Sequence, residues 1–510
     1  MRRRTALGGH RLLAAGALLP AMAGAQPAIA VPTPLGWERL TGALLLPERD
    51  TLPGGVRLVG LPVDAPATVQ QPGRRLVVTG SDGRGTLRRP QEGARQQGAL
   101  AVVEGERPGG RWWTHGGVRY HRGTDQQVPW RHHADPYVGL PYQWADSVGG
   151  TFHQDALGVR GGLVAPAWRR LRLGVALDYD VRQGARREDP RPLHRHRAVA
   201  LRPALGWSAG GHQAVLGAER RWHREDLEIG GGSSTDFPVL FRLRGIGTFD
   251  RTQLISAERA VLGGEWSARA AYAIMGRRWH GAVGGWLGVA RDSVRDGIAT
   301  PVSGGEARRV VGAAGAQLRR LGGRPLEVAL SWHGVGVRGR DPIFAAVNAT
   351  ETGSVARAVV RGWSAPMLER ARWHWAVQLL PRSLAREDAA AQTRWSVQAL
   401  GVGGALVHRR PVAGGALLLL AHGTRHHRID AQLEAGRPTR LTPLLATADW
   451  AVVSAPLVEL GGGVGWEGGS VGAPRTRVLL GIDQVARTAA AAGGAWPSAW
   501  QRLTLRLEKH

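Results

Sequence analysis

Asp178 and Asp180 stand two residues apart, with Arg170 and Arg172 on the same parity. In an extended chain all four side chains share one face, because successive residues point to opposite sides. Paired carboxylates are the equipment of general acid–base chemistry. Here they sit between guanidiniums, which hold a carboxylate ionised and make it a poor proton donor. The pattern therefore predicts a ladder of ion pairs rather than a catalytic dyad. Arg372, Gln378, Arg394, Gln398 and Asp430 fall on the polar parity of later segments. Together with Arg170, Arg172, Asp178 and Asp180 they are expected to line a polar lumen. No catalytic residue is assigned.

The other chemistry-bearing residues give less. There is no cysteine, which excludes thiol catalysis, disulfides and cysteine-held metal. Histidines pair at His132-His133, His194/His196 and His426-His427. Neighbours on a strand face opposite ways, so His426 and His427 cannot reach one ion. No metal and no cofactor is expected. The glycine runs Gly230–Gly232, Gly461–Gly463 and Gly468-Gly469 do not lead into a helix bearing Lys-Ser or Lys-Thr, so none is a phosphate loop. In strands, glycine permits bending and close approach.

Positioning such residues requires strands. Leu171, Leu173, Val175, Leu177, Tyr179 and Val181 take one parity, opposite the charged set. Leu326, Val328, Leu330 and Trp332, then Trp373, Trp375, Val377 and Leu379, repeat the pattern, as do Leu503, Leu505 and Leu507. Trp395, Val397, Ala399 and Val407, and Ile429, Ala431 and Leu433, read the same way, apolar side to lipid and polar side inward. Brief breaks near Ala167, Gly210, Arg278, Gly322, Pro366 and Pro411 interleave with longer ones at 183–195, 224–238, 291–306, 338–353 and 382–391. A barrel inserted from the periplasm has short turns inside and longer loops outside. The expectation is an all-β chain, a transmembrane antiparallel up-and-down β-barrel of roughly 16–18 strands. The stretch 239–263 reads either as one more hairpin or as part of a long loop. Tryptophans near strand ends (Trp168, Trp207, Trp222, Trp279, Trp332, Trp363, Trp500) are expected to form the interfacial girdle.

Arg2 to Arg4, the apolar run Leu12 to Ala23, and small residues at Ala23 and Ala25 have the layout of a secretory signal. The expected organisation is a signal peptide at 1–25, a periplasmic lead-in at 26–73, and the barrel at 74–510. The formal net charge is +27, carried almost wholly by arginine. The arginines are spread along strands and loops rather than clustered, which argues against nucleic acid and for a lumen wall and lipid headgroups.

Asp135-Pro136-Tyr137, Ala145-Asp146-Ser147-Val148-Gly149-Gly150 and Gly184-Ala185-Arg186-Arg187-Glu188-Asp189-Pro190-Arg191-Pro192 carry a resemblance. The chain resembles, over residues 74–510, a family of bacterial outer-membrane β-barrel proteins that forms a domain of unknown function. The resemblance implies fold and membrane, and it brings no activity or catalytic residues. One departure stands out. Such barrels often end on an aromatic residue read by the assembly machinery, whereas this sequence ends Leu507-Glu508-Lys509-His510.

The expected role is an outer-membrane barrel, non-enzymatic, serving as a passive pore or binder for small polar or anionic solutes. Its expected partners are outer-membrane lipid, lipopolysaccharide and the barrel assembly machinery, and no nucleic acid. No plug domain or energy-coupling box is evident near the N-terminus, which disfavours active transport. The alternatives are a membrane-embedded hydrolase, which would need a Ser/His or Asp/His set at the rim, and a secreted soluble β-protein.

Overall fold

The computed structural model describes residues 73–509 except 110–111, 138, 231–238, 254–255, 298, 324, 365–371, 469–475 and 488–498. The expected signal peptide and the lead-in up to residue 72 lie outside the described residues. The strands, in chain order, are β1 Gly73–Gly85, β2 Arg95–Gly109, β3 Trp112–Gln126, β4 Tyr142–Ala145, β5 Phe152–Trp168, β6 Leu171–Arg186, β7 Arg191–Ala209 and β8 His212–Gly230. There follow β9 Val239–Arg244, β10 Phe249–Gln253, β11 Ser256–Met275, β12 Trp279–Asp296, β13 Val302–Arg320, β14 Leu326–Arg340, β15 Val347–Trp363 and β16 Trp373–Asp388. The last are β17 Thr393–Val412, β18 Gly415–Ala435, β19 Leu457–Gly468, β20 Thr476–Arg487 and β21 Ala499–Lys509. The one α-helix among the described residues is α1, Ala448–Val453, preceded by a π-helical turn at Pro443–Thr447. It is far too short to cross a membrane.

Eighteen of the strands form one antiparallel sheet. Pairing of β1 with β21, Leu76 opposite Lys509 through Gly85 opposite Trp500, closes it into a barrel. The remaining three, β4, β9 and β10, form a small separate sheet. The region 239–263 is thus partly loop: it carries β9 and β10 and then enters β11.

The outer wall is apolar because the leucines, valines and tyrosines of one parity have no protein to cover them. On β6, Leu173, Val175, Leu177 and Tyr179 are exposed, and on β21 Leu503, Leu505 and Leu507 are too. A water-soluble sheet would bury that face, so the soluble alternative is overturned. This is an outer-membrane β-barrel. Exposed indoles at Trp112, Trp168, Trp207, Trp279, Trp373 and Trp466 ring the short-turn end, where an amphipathic ring suits the lipid–water boundary. Trp363 and Trp500 do not belong to the girdle. They are 8% and 5% exposed, and Trp500 packs inward with Leu87, Leu457 and Val485.

The breaks expected as long outer loops are mostly strand. The connections there shrink to 187–190, 341–346 and 389–392, and the strands on both sides run on beyond the apolar band. Above that band the outward face meets water and need not be apolar, so the alternation fades while the backbone ladder continues. The missing apolar parity is what made these stretches read as loops.

Candidate functional site: the capped mouth and the lumen beneath it

At the loop end, four segments fold into the mouth: 86–94, 127–151, 239–253 and 436–456. Their own side chains form a core. Trp144 packs with Leu227, Ile229 and Leu240, and Ala145 with Leu243 and Leu441. Val453 of α1 packs on Trp395 and Val397 of the wall. Pairing of β4 with β9, and β9 with β10, ties two of the segments together. The wall makes room for them. Gly305 has φ +120, and a Cβ there would lie 2.7 Å from the Tyr142 ring, so only glycine fits under β4.

Three buried ionic locks hold the cap to the wall. In the first, Asp146 accepts hydrogen bonds from Arg186 Nη2 at 2.6 Å, from the His132 ring, and from the backbone N–H of Val148 at 2.7 Å. Beside it His133 faces Glu225 at 3.4 Å, and Glu225 also accepts from the Ala134 N–H at 3.0 Å. In the second, Arg89 grips Asp449 with two bonds of 2.6 and 2.8 Å and lies 3.4 Å from the Tyr137 ring centroid. Arg386 on β16 joins this lock through Asp449 at 3.1 Å and Glu351 at 2.8 Å. In the third, Asp388 accepts from the Gly247 and Thr248 N–H groups at 2.9 and 2.6 Å and from the Thr248 hydroxyl at 2.7 Å. A cleft of about 720 Å3, open to solvent, lies where all four segments meet β14, β15 and β16. Tyr137, Gln143, Glu351, Arg386 and Asp449 supply its polar edge.

The electrostatics follow burial and pairing. Burial pushes the Asp449 carboxyl up, but Arg89 and Arg386 reverse this and hold it below its ordinary range. Asp146 is likewise held low, its burial outweighed by His132 and Arg186. His132 is held below its usual value by burial, only partly offset by Asp146, so it is the neutral donor of that pair. Glu92 goes the other way: burial, incompletely offset by Arg89, pushes it up to about 6. A carboxyl raised in the fold stabilises it fully below the unfolded value near 4.5 and loses that contribution as pH rises through about 6. Asp146 and Asp449 contribute above the ordinary 3.8 and lose their share as pH falls through their lowered values. Glu92→Gln is therefore expected to abolish a loosening of the cap between pH 4.5 and 6, worth about 2 kcal/mol for the shift given. Proteolysis rates in the 127–151 segment across that pH range check it.

Below the cap, inward side chains build the lumen wall. Arg202 joins Asp178 and Glu219, and Arg269 reaches the same Glu219 at 2.6 Å. Arg119 and Arg221 converge on Asp180. Arg361 meets Glu327 at 3.1 Å, and Arg309 meets Asp292 at 3.0 Å. On β15 to β18 the wall differs. Arg357 and Arg382 have no carboxylate within ion-pairing distance among the described residues. Arg357 donates to Gln378 at 3.2 Å, Gln378 donates to Thr424 at 3.2 Å, and Arg382 donates to the Val453 carbonyl of α1 at 3.3 Å. Between them β17 presents Gly401 and Gly403, and a Cβ at 403 would meet the Thr424 hydroxyl at 2.4 Å. The result is a glycine-bearing patch of wall with two cationic side chains, an amide and a hydroxyl.

Of the residues expected in the lumen, Arg172, Asp178, Asp180 and Gln378 occupy inward positions. The other five do not. Arg170 is exposed in the turn between β5 and β6, and Arg372 is exposed just before β16. Arg394, Gln398 and Asp430 face outward above the lipid band: Gln398 lies opposite Asp430, and Arg394 pairs with Glu434 at 2.8 Å. Their parity is inverted because Trp395, Val397, Ala431 and Leu433 point inward to the cap core. An apolar parity faces whatever is greasy, and here that is the cap rather than lipid. Ile429 marks the irregularity in β18, where the register slips between Gln398 and Ala399.

The histidine pairs are dispersed. His194 contacts the His132 carbonyl at 3.3 Å and His196 stacks on His223, while His426 is buried and His427 exposed. The cap locks went unread in the sequence, yet the signal was present. All three quoted motifs converge here: Tyr137 in the cleft, Asp146 in the first lock, Arg186 as its partner.

Comparison with known proteins adds a family. No curated protein matches the chain. Among solved structures, the ferric yersiniabactin uptake receptor FyuA of Yersinia pestis is similar with a TM-score of 0.39 at 10% identity, covering 86% of this chain and 81% of that one. The ferric preacinetobactin receptor BauA of Acinetobacter baumannii gives 0.35 at 9% identity, with 86% and 80% covered. The outer membrane transporter YddB of Escherichia coli gives 0.36 at 8% identity, with 86% and 81% covered. The family of unknown function DUF6850 matches residues 74–495, nearly the whole barrel and all four cap segments. The chain belongs to that family.

Proposed function

We propose that this protein is a capped outer-membrane barrel that binds a small anionic solute at the arginine patch of the lumen wall and admits it past the cap. The observation that carries the reading is the pair Arg357 and Arg382, half-buried in the wall with no carboxylate within ion-pairing distance among the described residues, while Arg202, Arg269 and Arg361 elsewhere in the lumen are paired. Two guanidiniums on one stretch of wall, with a neutral amide and hydroxyl beside Arg357, suit a carboxylate or phosphate, which replaces the missing counter-charge. The cap argues against a permanently open passive pore, because its segments fill the mouth and are ionically locked. The arginine-rich wall argues for anions over cations once the cap yields.

The test is conductance in planar bilayers with the purified full chain. Wild type is expected to be closed for most of the recording and anion-selective during openings. Arg357→Gln with Arg382→Gln is expected to reduce anion preference several-fold while the ionic locks at Asp146 and Asp449 still hold the cap. Cation preference in the wild type, or unchanged selectivity in the double variant, overturns the reading.

A further inference from the structure

The outer surface holds a second arginine cluster, unconnected with the lumen. Arg291 on β12 lies opposite Arg308 on β13, and Arg308 lies opposite Arg338 on β14. All three are exposed. Each belongs to the outward parity, shared with Leu287 on β12, Val310 on β13 and Trp332 on β14, which are exposed to lipid. Each stands just beyond the last apolar outward residues, Val289 and Val310, on the loop side. A fourth arginine extends the row. Arg220 on β8 lies over the Trp222 and Trp266 rings, at 5.1 and 4.8 Å from their centroids. Its guanidinium fills the space above Gly264, where a Cβ would lie 3.0 Å from Nη2. Gly264 is itself the register partner of Arg291.

Four cationic heads thus run laterally across five neighbouring strands, each strand about 4.8 Å from the next. Among the described residues none of the four has a carboxylate within ion-pairing distance. Glu306, one outward step above Arg308 and opposite Arg340, forms no ion pair among the described residues. Other outward arginines, on β7 and β8, are matched: Arg195 with Glu228 at 3.0 Å, Arg197 with Asp226 at 3.0 Å, and Arg224 with Asp226 at 2.7 Å. On β17 and β18 Arg394 is matched with Glu434. Like charges directly opposite on adjacent strands repel and destabilise the pair. A row of three is retained without internal compensation only where something external supplies the negative charge.

The position of the row identifies that partner. It lies at the loop-side edge of the apolar band, hence at the headgroup level of the outer leaflet. Guanidiniums bind phosphate bidentately, and a run of them matches a headgroup bearing more than one phosphate. We infer that Arg220, Arg291, Arg308 and Arg338 form a binding site for the phosphorylated headgroup of lipopolysaccharide, with its acyl chains on Leu287, Val310 and Trp332. The site anchors one glycolipid to the β12–β14 side of the barrel.

The test uses the full chain in detergent, titrated with bisphosphorylated lipid A and with the same lipid dephosphorylated, bound lipid being counted by native mass spectrometry. Wild type is expected to prefer the phosphorylated form at least tenfold. Arg291→Gln/Arg308→Gln/Arg338→Gln is expected to lose that preference, and Arg394→Gln, on a matched pair elsewhere, to keep it. Should the triple variant fail to fold, Arg308→Gln alone gives a second readout. Without lipid its melting temperature is expected at or above that of wild type, because a repulsion is removed. With phosphorylated lipid A it is expected to fall below. Equal binding of the two lipids by wild type, or a single variant whose ranking does not reverse, overturns the site. Phosphatidylglycerol binding as tightly as lipid A, or displacement by millimolar inorganic phosphate, overturns the glycolipid assignment.

Discussion

Asp146→Ala is expected to unlock the mouth of the barrel. Asp146 is buried together with Arg186, their side chains 1% and 0% exposed. Removing the carboxylate strands a guanidinium in a dry environment, leaves His132 without its partner, and frees the Val148 and Gly149 amides. Breaking a buried pair from one side costs about 3–5 kcal/mol, because the remaining charge is uncompensated. The cost falls on the cap, since the barrel ladders on either side are untouched. Long openings in bilayer recordings and rapid cleavage within 127–151 are therefore expected, with the heat-modifiable electrophoretic shift of a folded barrel retained. Asp146→Asn, which keeps the shape and some hydrogen bonds but not the charge, should fall between. A variant that stays closed and protease-resistant would show that the lock carries no cap stability.

The second large effect is expected in the wall. Glu219 accepts from Arg202 at 2.5 Å and from Arg269 at 2.6 Å, and Asp178 shares Arg202. Glu219→Ala leaves two guanidiniums facing a vacated carboxylate in a buried stretch of β7, β8 and β11. A loss of about 3–5 kcal/mol is expected, read as a lower urea midpoint for unfolding from lipid vesicles. Asp226→Ala is the contrast. Asp226 pairs with Arg197 and Arg224, both more than half exposed, and removal of such a surface partner is expected to cost under about 1 kcal/mol. Equal effects of the two substitutions would mean that burial does not govern these pairs.

The barrel was legible because lipid imposes a rule on every second residue. Leu173 to Tyr179, Leu201 to Trp207 and Leu503 to Leu507 obey it, and the fold class follows from them. Membership of an outer-membrane family was legible from three short motifs. The rule fails where lipid stops. Trp395, Val397, Ala431 and Leu433 alternate as cleanly as any membrane strand, but their greasy side meets α1. Parity specifies two faces and cannot say what covers each. The cap was illegible for another reason. The motifs mark residues of the first lock, but its contacts join Asp146 to Arg186 across 40 positions and Arg89 joins Asp449 across 360, and no strand or helix spacing encodes such pairings. The arginine patch of the lumen shows the same limit. Arg357 and Arg382 look like any other inward arginines until no carboxylate among the described residues is found within ion-pairing distance across four strands.

Each piece of the cap is a loop, tethered at both of its ends to strands of the closed cylinder. It follows that the stopper cannot be withdrawn as one body, as a separately folded globule threaded into the bore could be. It also cannot exist before most of the cylinder does, since its parts are delivered by hairpins scattered from β1 to β19. Biogenesis therefore completes the stopper only once the hairpin of β18 and β19 is in place. On the proposed function, a solute is admitted by the swing of an individual flap about its two moorings.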